Sequence, residues 1–413
     1  MQMKKQGFVM LLLMTVSQIL QFGSMALLAR WYAPAEIGEL SQLTALLLFF
    51  APWGALCMSY AFVLSQTSQE KYNLLVVSRL FSGALAVTFV CILAFLPAIN
   101  DLNTLSILLL LPFALYATSM ISVYQQWFYS SQQFSLPSYL LFVSTILLVS
   151  GRLAIGGTGR DYQELLYLTV LVPIGTVILF RCYVGIEHTI ARGILFELVS
   201  LLRKYRQFPL YQAPQQALNA VSQQAPILLF AIWYSAEVTG YYALALACLA
   251  APVAILSKAL GDWLYPQLAY STAKNFSKLL RNWTLILSVL GLVPLFCLLF
   301  AHQTIFTWVF GAGWSQAGDI ASILAPWYFL VAVNTPALKA IMVMQAQKYT
   351  LLLNIVTTVF RICGIAAIYI SGAGIMDAVW WLSICGIAHN AFVIGGAFVI
   401  DRKRSGAIIQ VTS

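Results

Sequence analysis

The sequence predicts an all-α polytopic membrane protein of about twelve transmembrane helices, arranged as two pseudo-symmetric six-helix bundles. Three observations predict it. The chain is 61% hydrophobic and only 8% charged, with a mean hydropathy of +0.86, which is more apolar surface than a soluble globule of 413 residues could hide. Its apolar residues gather in runs of about 20, the helix length that crosses a hydrocarbon layer roughly 30 Å thick. One segment also recurs: Trp31-Tyr32-Ala33-Pro34-Ala35-Glu36-Ile37-Gly38 returns, one residue out of step, as Trp233-Tyr234-Ser235-Ala236-Glu237-Val238-Thr239-Gly240. Each copy closes an apolar run and precedes another that carries a proline, Pro52 or Pro252, the mark of two similar membrane halves.

In the first half the runs lie near Gly7 to Ala29, Ser41 to Leu64, Leu80 to Leu96, Leu105 to Ser122, Tyr139 to Ala154 and Leu165 to Phe180. In the second they lie near Leu210 to Trp233, Tyr241 to Leu264, Trp283 to Phe300, Ile320 to Met344, Leu351 to Ile370 and Ala378 to Ile400. The runs are continuous rather than alternating, which excludes a barrel. Lys4-Lys5 ahead of an apolar stretch imitates a secretory signal, but that stretch continues to Ala29 and many spans follow, so it reads as an uncleaved first helix.

The domains follow: an amino-terminal bundle over 1–184, a cytoplasmic linker over 185–206, a carboxy-terminal bundle over 207–401 and a tail over 402–413. Within the linker, Ile190, Ile194, Leu198 and Leu201 recur at helical spacing among charged residues, as in an amphipathic helix on a membrane surface. Six spans on each side of it make the halves cross in the same direction. The segment from His302 to Gly318 is the largest outward loop, its Gly311 and Gly313 favouring a turn.

Charge sets the orientation. If the spans alternate, sixteen of the 22 Lys and Arg fall on one side, which the positive-inside rule assigns to the cytoplasm, together with both termini. The net charge of +9 is thereby explained beside anionic headgroups, without a nucleic-acid partner. The seven cysteines and three histidines are scattered, so neither a metal site nor a redox pair is expected.

Polar groups inside the spans are the candidate site. Gln212, Gln216, Asn219 and Gln223 are spaced four, three and four apart, which stacks them on one face of the seventh span. The first span repeats the theme with Gln21 and its serines. Interhelical hydrogen bonding would account for one or two such amides, whereas a whole stripe points to an aqueous cavity. Arg361 sits about twelve residues, roughly 18 Å, into its span, and Arg152, Lys258, Lys339 and Arg30 are embedded nearer an end. Charge at that depth is costly, so Arg361 and Arg152 are expected to line the cavity. Lys258 either does so or pairs with Asp262 one turn on, while Lys339 and Arg30 can snorkel to an interface. A cationic, amide-lined cavity between two halves suits a phosphorylated glycan, with guanidinium forks on phosphate and amides on hydroxyls. No ATP-binding loop, paired carboxylates or nucleophile with its base is present, so no bond chemistry is expected.

Leu28-Ala29-Arg30-Trp31-Tyr32 through Pro34-Ala35-Glu36-Ile37-Gly38 closes the first span, and Tyr205 to Pro209-Leu210 enters the seventh. Together with Phe310-Gly311, Trp314, Ala317-Gly318 and Ala325-Pro326-Trp327, these segments resemble bacterial O-antigen and polysaccharide flippases of the Wzx type. That group belongs to the multidrug/oligosaccharidyl-lipid/polysaccharide (MOP) exporter superfamily, and the resemblance covers essentially the whole chain. It implies two bundles in a MATE-like V, with the first and seventh spans lining a cationic cavity. The implied cargo is an undecaprenyl-diphosphate-linked oligosaccharide, an O-antigen or related repeat unit. It would be turned from the inner to the outer leaflet of the bacterial cytoplasmic membrane by alternating access. Related lipid flippases use basic residues in the first and eighth spans, and Arg30 and Lys258 are the matching positions here. No cofactor is implied beyond a coupling proton or sodium ion, for which Asp262 is the candidate. Implied partners are the lipid-linked glycan, membrane lipids and other polysaccharide-assembly membrane proteins. A multidrug or cation antiporter of the same superfamily would favour buried acids over these buried bases. A membrane polymerase or ligase would need a catalytic acid or base in a sizeable outward loop, where only Asp101, Asp161 and Asp377 are scattered.

Overall fold

The computed structural model describes residues 2–65, 67–94, 102–159, 161–184 and 194–412, and every regular element among them is helical. Two compact units form. One comprises Met1–Tyr32 and Glu39–Leu228, the other Ala33–Gly38 and Leu229–Ser413.

The first unit contains α1 (Gln2–Trp31), all but the first turn of α2 (Pro34–Gly54), a 3-10 segment (Met58–Leu64), α3 (Ser68–Ala94), α4 (Leu102–Ser130), α5 (Ser135–Gly157), α6 (Gln163–Val184), α7 (Ile194–Lys204) and most of α8 (Ala213–Trp233). The stretch expected as one straight span from Ser41 to Leu64 is bent by 48° between α2 and the 3-10 segment. Pro52 removes a ladder hydrogen bond, and Leu56 and Cys57 then take left-handed φ of 45° and 57°. The core of this unit gathers Met58, Phe62, Tyr124, Phe128 and Phe180, with Tyr124 stacked on Phe180 at 5.9 Å. Lipid offers no hydrophobic drive between helices, so such close packing holds them together.

The linker helix α7 begins at Ile194; residues 185–193, including His188 and Ile190, lie outside the described ones. Its Leu201 and the following Tyr205, each 6% exposed, join the core of the first unit. Lys204 forms an ion pair with Glu70 of α3, and the Tyr205 hydroxyl donates to the same carboxylate at 3.0 Å. Among the described residues, the expected linker helix is therefore fastened to the bundle by Leu201 and Tyr205 and by the Lys204–Glu70 ion pair.

The second unit contains α9 (Ala236–Ala269), α10 (Ala273–Phe310), α11 (Ser315–Val333), α12 (Thr335–Val343), α13 (Gln347–Ile370) and α14 (Ile375–Thr412). The expected outward loop from His302 is instead mostly helix. α10 kinks at Ala301, where φ is −125°, and continues to Phe310. Gly311, at a φ of +108°, then makes the turn that a side chain would strain. The stretch from Ile320 to Met344, read as one span, breaks at Asn334 just ahead of Pro336. There Asn334 donates to Asn390, Asn390 to the Gly386 carbonyl at 2.7 Å, and Thr335 to Ser257 at 2.9 Å. Polar groups at a helix break within lipid must be met by protein, and these are.

Nine stretches among the described residues are long and apolar enough to cross a membrane, ten if the bent pair counts as one span. The other two expected spans fall on α4, whose first turns have side chains outside the described ones, and on the amide-rich α8. The chain is a multi-pass membrane protein.

Candidate functional site

The amide stripe of α8 survives folding with one change of register. Phe208–Gln212 forms a π-helical turn, so Gln212 precedes the regular helix and only Gln216, Asn219 and Gln223 share its strict α spacing. Ala213, Ala217, Ala225, Pro226 and Ile227 form the packed side of the helix. Gln212, Gln216 and Asn219 are half-buried and Gln223 is exposed. No side-chain hydrogen bond joins any of the four to another described residue, and their polar atoms are open to a surrounding medium. That arrangement is costly against hydrocarbon and natural against water.

In the same unit, Gln21 of α1 donates to Thr145 of α5 at 3.5 Å. Ten residues on, the Trp31 ring covers Gly156 so closely that a Cβ there would lie 2.2 Å from it. The two contacts fix α1 and α5 as parallel neighbours. Arg152 lies between them along α5, half-buried, and its Nε is shielded without a hydrogen-bond partner among the described residues. Arg30 is exposed in the last turn of α1.

In the second unit, Arg361 is enclosed by its own bundle. It is 8% exposed, and its guanidinium lies 4.4 Å from the Trp327 ring centroid, a cation–π contact in a desolvated setting. Tyr242, Tyr328, Cys385 and His389 are its electrostatic neighbours. A Cβ on Gly386 would lie 2.2 Å from Trp327, so the indole also packs closely against α14. Lys258 is exposed on α9. Lys339 is half-buried, its stem lying across Gly261 of α9, where a Cβ would meet Lys339 Cε at 2.4 Å. Asp262 lies in α9, but its side chain is outside the described ones. No group of three His, Cys, Asp or Glu suited to a metal occurs among the described residues.

One feature escaped sequence reading. Arg79 of α3 and Arg181 of α6, two of the sixteen cations that set the orientation, face a common cavity of about 310 Å³ with Tyr116 and Tyr124 of α4.

The model of one protein family matches residues 18–319, and that family is described as "Polysaccharide biosynthesis protein". The chain belongs to this family. No curated protein matches. Among solved structures, the fold is similar to lipid II flippase MurJ in an inward closed conformation, at 13% identity and a TM-score of 0.72, covering 98% of this chain and 93% of that one. It is also similar to an inward-facing multidrug resistance MATE transporter of the MOP superfamily, at 14% identity and a TM-score of 0.60 over 96% of both chains. An outward-facing MATE transporter matches at 14% identity and a TM-score of 0.56, over 98% of this chain and 96% of that one. The all-helical fold expected from sequence is thus found, and it is shared with these solved structures.

Proposed function

We propose that this polysaccharide biosynthesis protein flips an undecaprenyl-diphosphate-linked oligosaccharide, an O-antigen or related repeat unit, from the inner to the outer leaflet of the bacterial cytoplasmic membrane. The observation that carries the reading is the α8 stripe, whose amides no described side chain satisfies. Amides that present both donors and acceptors match sugar hydroxyls of either sense. A hydrophilic glycan cannot cross hydrocarbon, whereas its polyprenyl tail prefers to remain there. The carrier must shelter the head along a wet polar face while the tail stays in lipid.

Roles divide by exposure. Gln212, Gln216, Asn219, Gln223 and Gln21 line the glycan path. The exposed Arg30 and Lys258 serve the diphosphate, and the buried Arg361 and half-buried Arg152 each add positive charge within their own unit, strengthened by low dielectric. Asp262 is the coupling group for a proton or sodium ion. Both termini lie in the cytoplasm, where other polysaccharide-assembly membrane proteins hand over the finished unit.

Deletion in the native bacterium tests this. Complete lipid-linked repeat units should accumulate on the cytoplasmic leaflet and return to normal on complementation. Unpolymerised units reaching the outer leaflet in the deletion strain would overturn the reading.

A further inference from the structure

The Arg79 and Arg181 cavity is unrelated to the α8 stripe and has its own chemistry. It sits within the first unit, lined by the first half of α3, the middle and second half of α4 and the second half of α6, with both arginines at the edges of their apolar runs on the side that the distribution of basic residues assigns to the cytoplasm. Arg79 Nη2 donates to the Tyr124 hydroxyl at 2.8 Å, and its guanidinium lies 5.8 Å from the same ring. Tyr124 is 2% exposed and stacked on Phe180, so Arg79 is aimed by a buried, closely packed ring. Arg181 follows Phe180 directly in α6 and is exposed. Tyr116 lies within electrostatic reach of both arginines. Among the described residues neither arginine forms an ion pair.

Two cations converging on one hollow repel each other, and water alone would offset that poorly at a membrane interface. Topology signalling explains Arg181, since any cation at that helix end would serve. It does not explain why a second guanidinium is pinned by a buried phenol into the same space. An anion held between them would offset that repulsion. A volume of about 310 Å³ is at the small end of ligand pockets, enough for a phosphate headgroup and too small for an oligosaccharide. The remaining wall is apolar, with Val177 and Ile178 of α6, and Ile178 is 57% exposed. A free phosphate gains nothing from such a wall, whereas a lipid's glycerol and acyl carbons do.

We infer that this cavity binds the phosphate of an anionic phospholipid of the cytoplasmic leaflet, Arg79 and Arg181 gripping the headgroup while Ile178 carries the start of its acyl chains. Forked guanidinium pairs on one phosphate are strong and geometrically selective. The site is independent of the flipping reading and holds whatever the cargo is.

The test is native mass spectrometry and thermal unfolding of the purified full-length protein in neutral detergent, titrated separately with phosphatidylglycerol, phosphatidylcholine, inorganic phosphate and a short polyprenyl diphosphate. Phosphatidylglycerol should bind and raise Tm, and phosphatidylcholine should not. Its affinity should fall at least about tenfold in Arg79→Gln/Arg181→Gln, equal to one charge-assisted contact or more. Arg181→Gln alone, at an exposed position that folding tolerates, should give part of that loss. Arg203→Gln, another exposed cation on α7, should leave binding unchanged. Equal binding of both phospholipids, or an equal loss in Arg203→Gln, would overturn the site. Binding of inorganic phosphate or the polyprenyl diphosphate in place of phosphatidylglycerol would overturn its assignment to a membrane phospholipid.

Discussion

Gly38 and Gly240 meet as a reciprocal pair. A Cβ on Gly38 would lie 1.8 Å from the carbonyl oxygen of Ala236, and a Cβ on Gly240 would lie 1.9 Å from that of Pro34. Pro34 and Ala236 are the first residues of α2 and α9, and each glycine stands four residues later in the same repeated motif. The two copies found in the sequence therefore pack on one another, first turn against first turn, within the second unit. Backbones come this close only where both sides lack a side chain. Gly240→Ala or Gly38→Ala should force the first turns apart, at a cost of about 1–3 kcal/mol. Fluorescence-detected size exclusion with heating should show each variant melting several degrees lower, and an unchanged Tm in both would contradict the contact.

The linker fastening has a pH signature. The Lys204 ammonium is held above its ordinary pKa, first by its hydrogen bond to Glu70. A raised lysine pKa means that the contact contributes fully at neutral pH and up to the ordinary lysine range, and is lost as pH rises through the raised value. Wild type should therefore resist proteolysis of the 194–204 helix better than Glu70→Gln at pH 8, with the difference shrinking toward pH 11. A difference that grows with pH would contradict it.

Arg361 is tied to Trp327, so its replacements should act through packing as well as charge. Arg361→Ala leaves a hollow beside the indole and is expected to reduce the folded protein in the membrane. Arg361→Lys keeps the charge but loses the flat surface that stacks, and should fold, melt lower and export less surface polysaccharide. Wild-type export from Arg361→Lys at equal protein level would remove the guanidinium from function.

The α8 stripe makes an accessibility prediction. In a background without the seven native cysteines, Cys placed at Gln216, Asn219 or Gln223 should react with a membrane-impermeant thiol reagent. Cys at Ala213 or Ala217, on the packed side, should not. Gln216→Leu with Asn219→Leu should keep the protein in the membrane and stop polysaccharide export; a more stable and fully active double variant would mean that this face meets lipid.

Much of the helix pattern was legible because lipid imposes one rule, that long apolar runs become helices. The repeat, the linker helix and the polar stripe were read from spacing alone. What was missed depends on contacts rather than on period. Hydropathy does not register the bend after Pro52 or the break at Asn334, since the residues around both remain apolar. The helical extension of α10 to Phe310 was hidden because polar residues such as His302 and Gln303 resemble a loop until Asp319 is seen bonding both, at 3.2 and 2.9 Å. The depth of Arg361 was evident in sequence, but its ring partner 34 residues away was not. Arg79 and Arg181 were explained too readily by orientation, which left no reason to ask whether they share a space.

The most direct measurement of the transport claim is reconstitution of the purified protein into liposomes bearing a fluorescent polyprenyl-diphosphate oligosaccharide, with externally added glycosidase as the reporter. Protein-free vesicles should stop at about half digestion, from the outer leaflet alone. Vesicles with wild-type protein should proceed toward complete digestion, and those with Gln216→Leu/Asn219→Leu should stop at half. Digestion that stops at half with active, folded wild-type protein under proton and sodium gradients of either direction would contradict flipping.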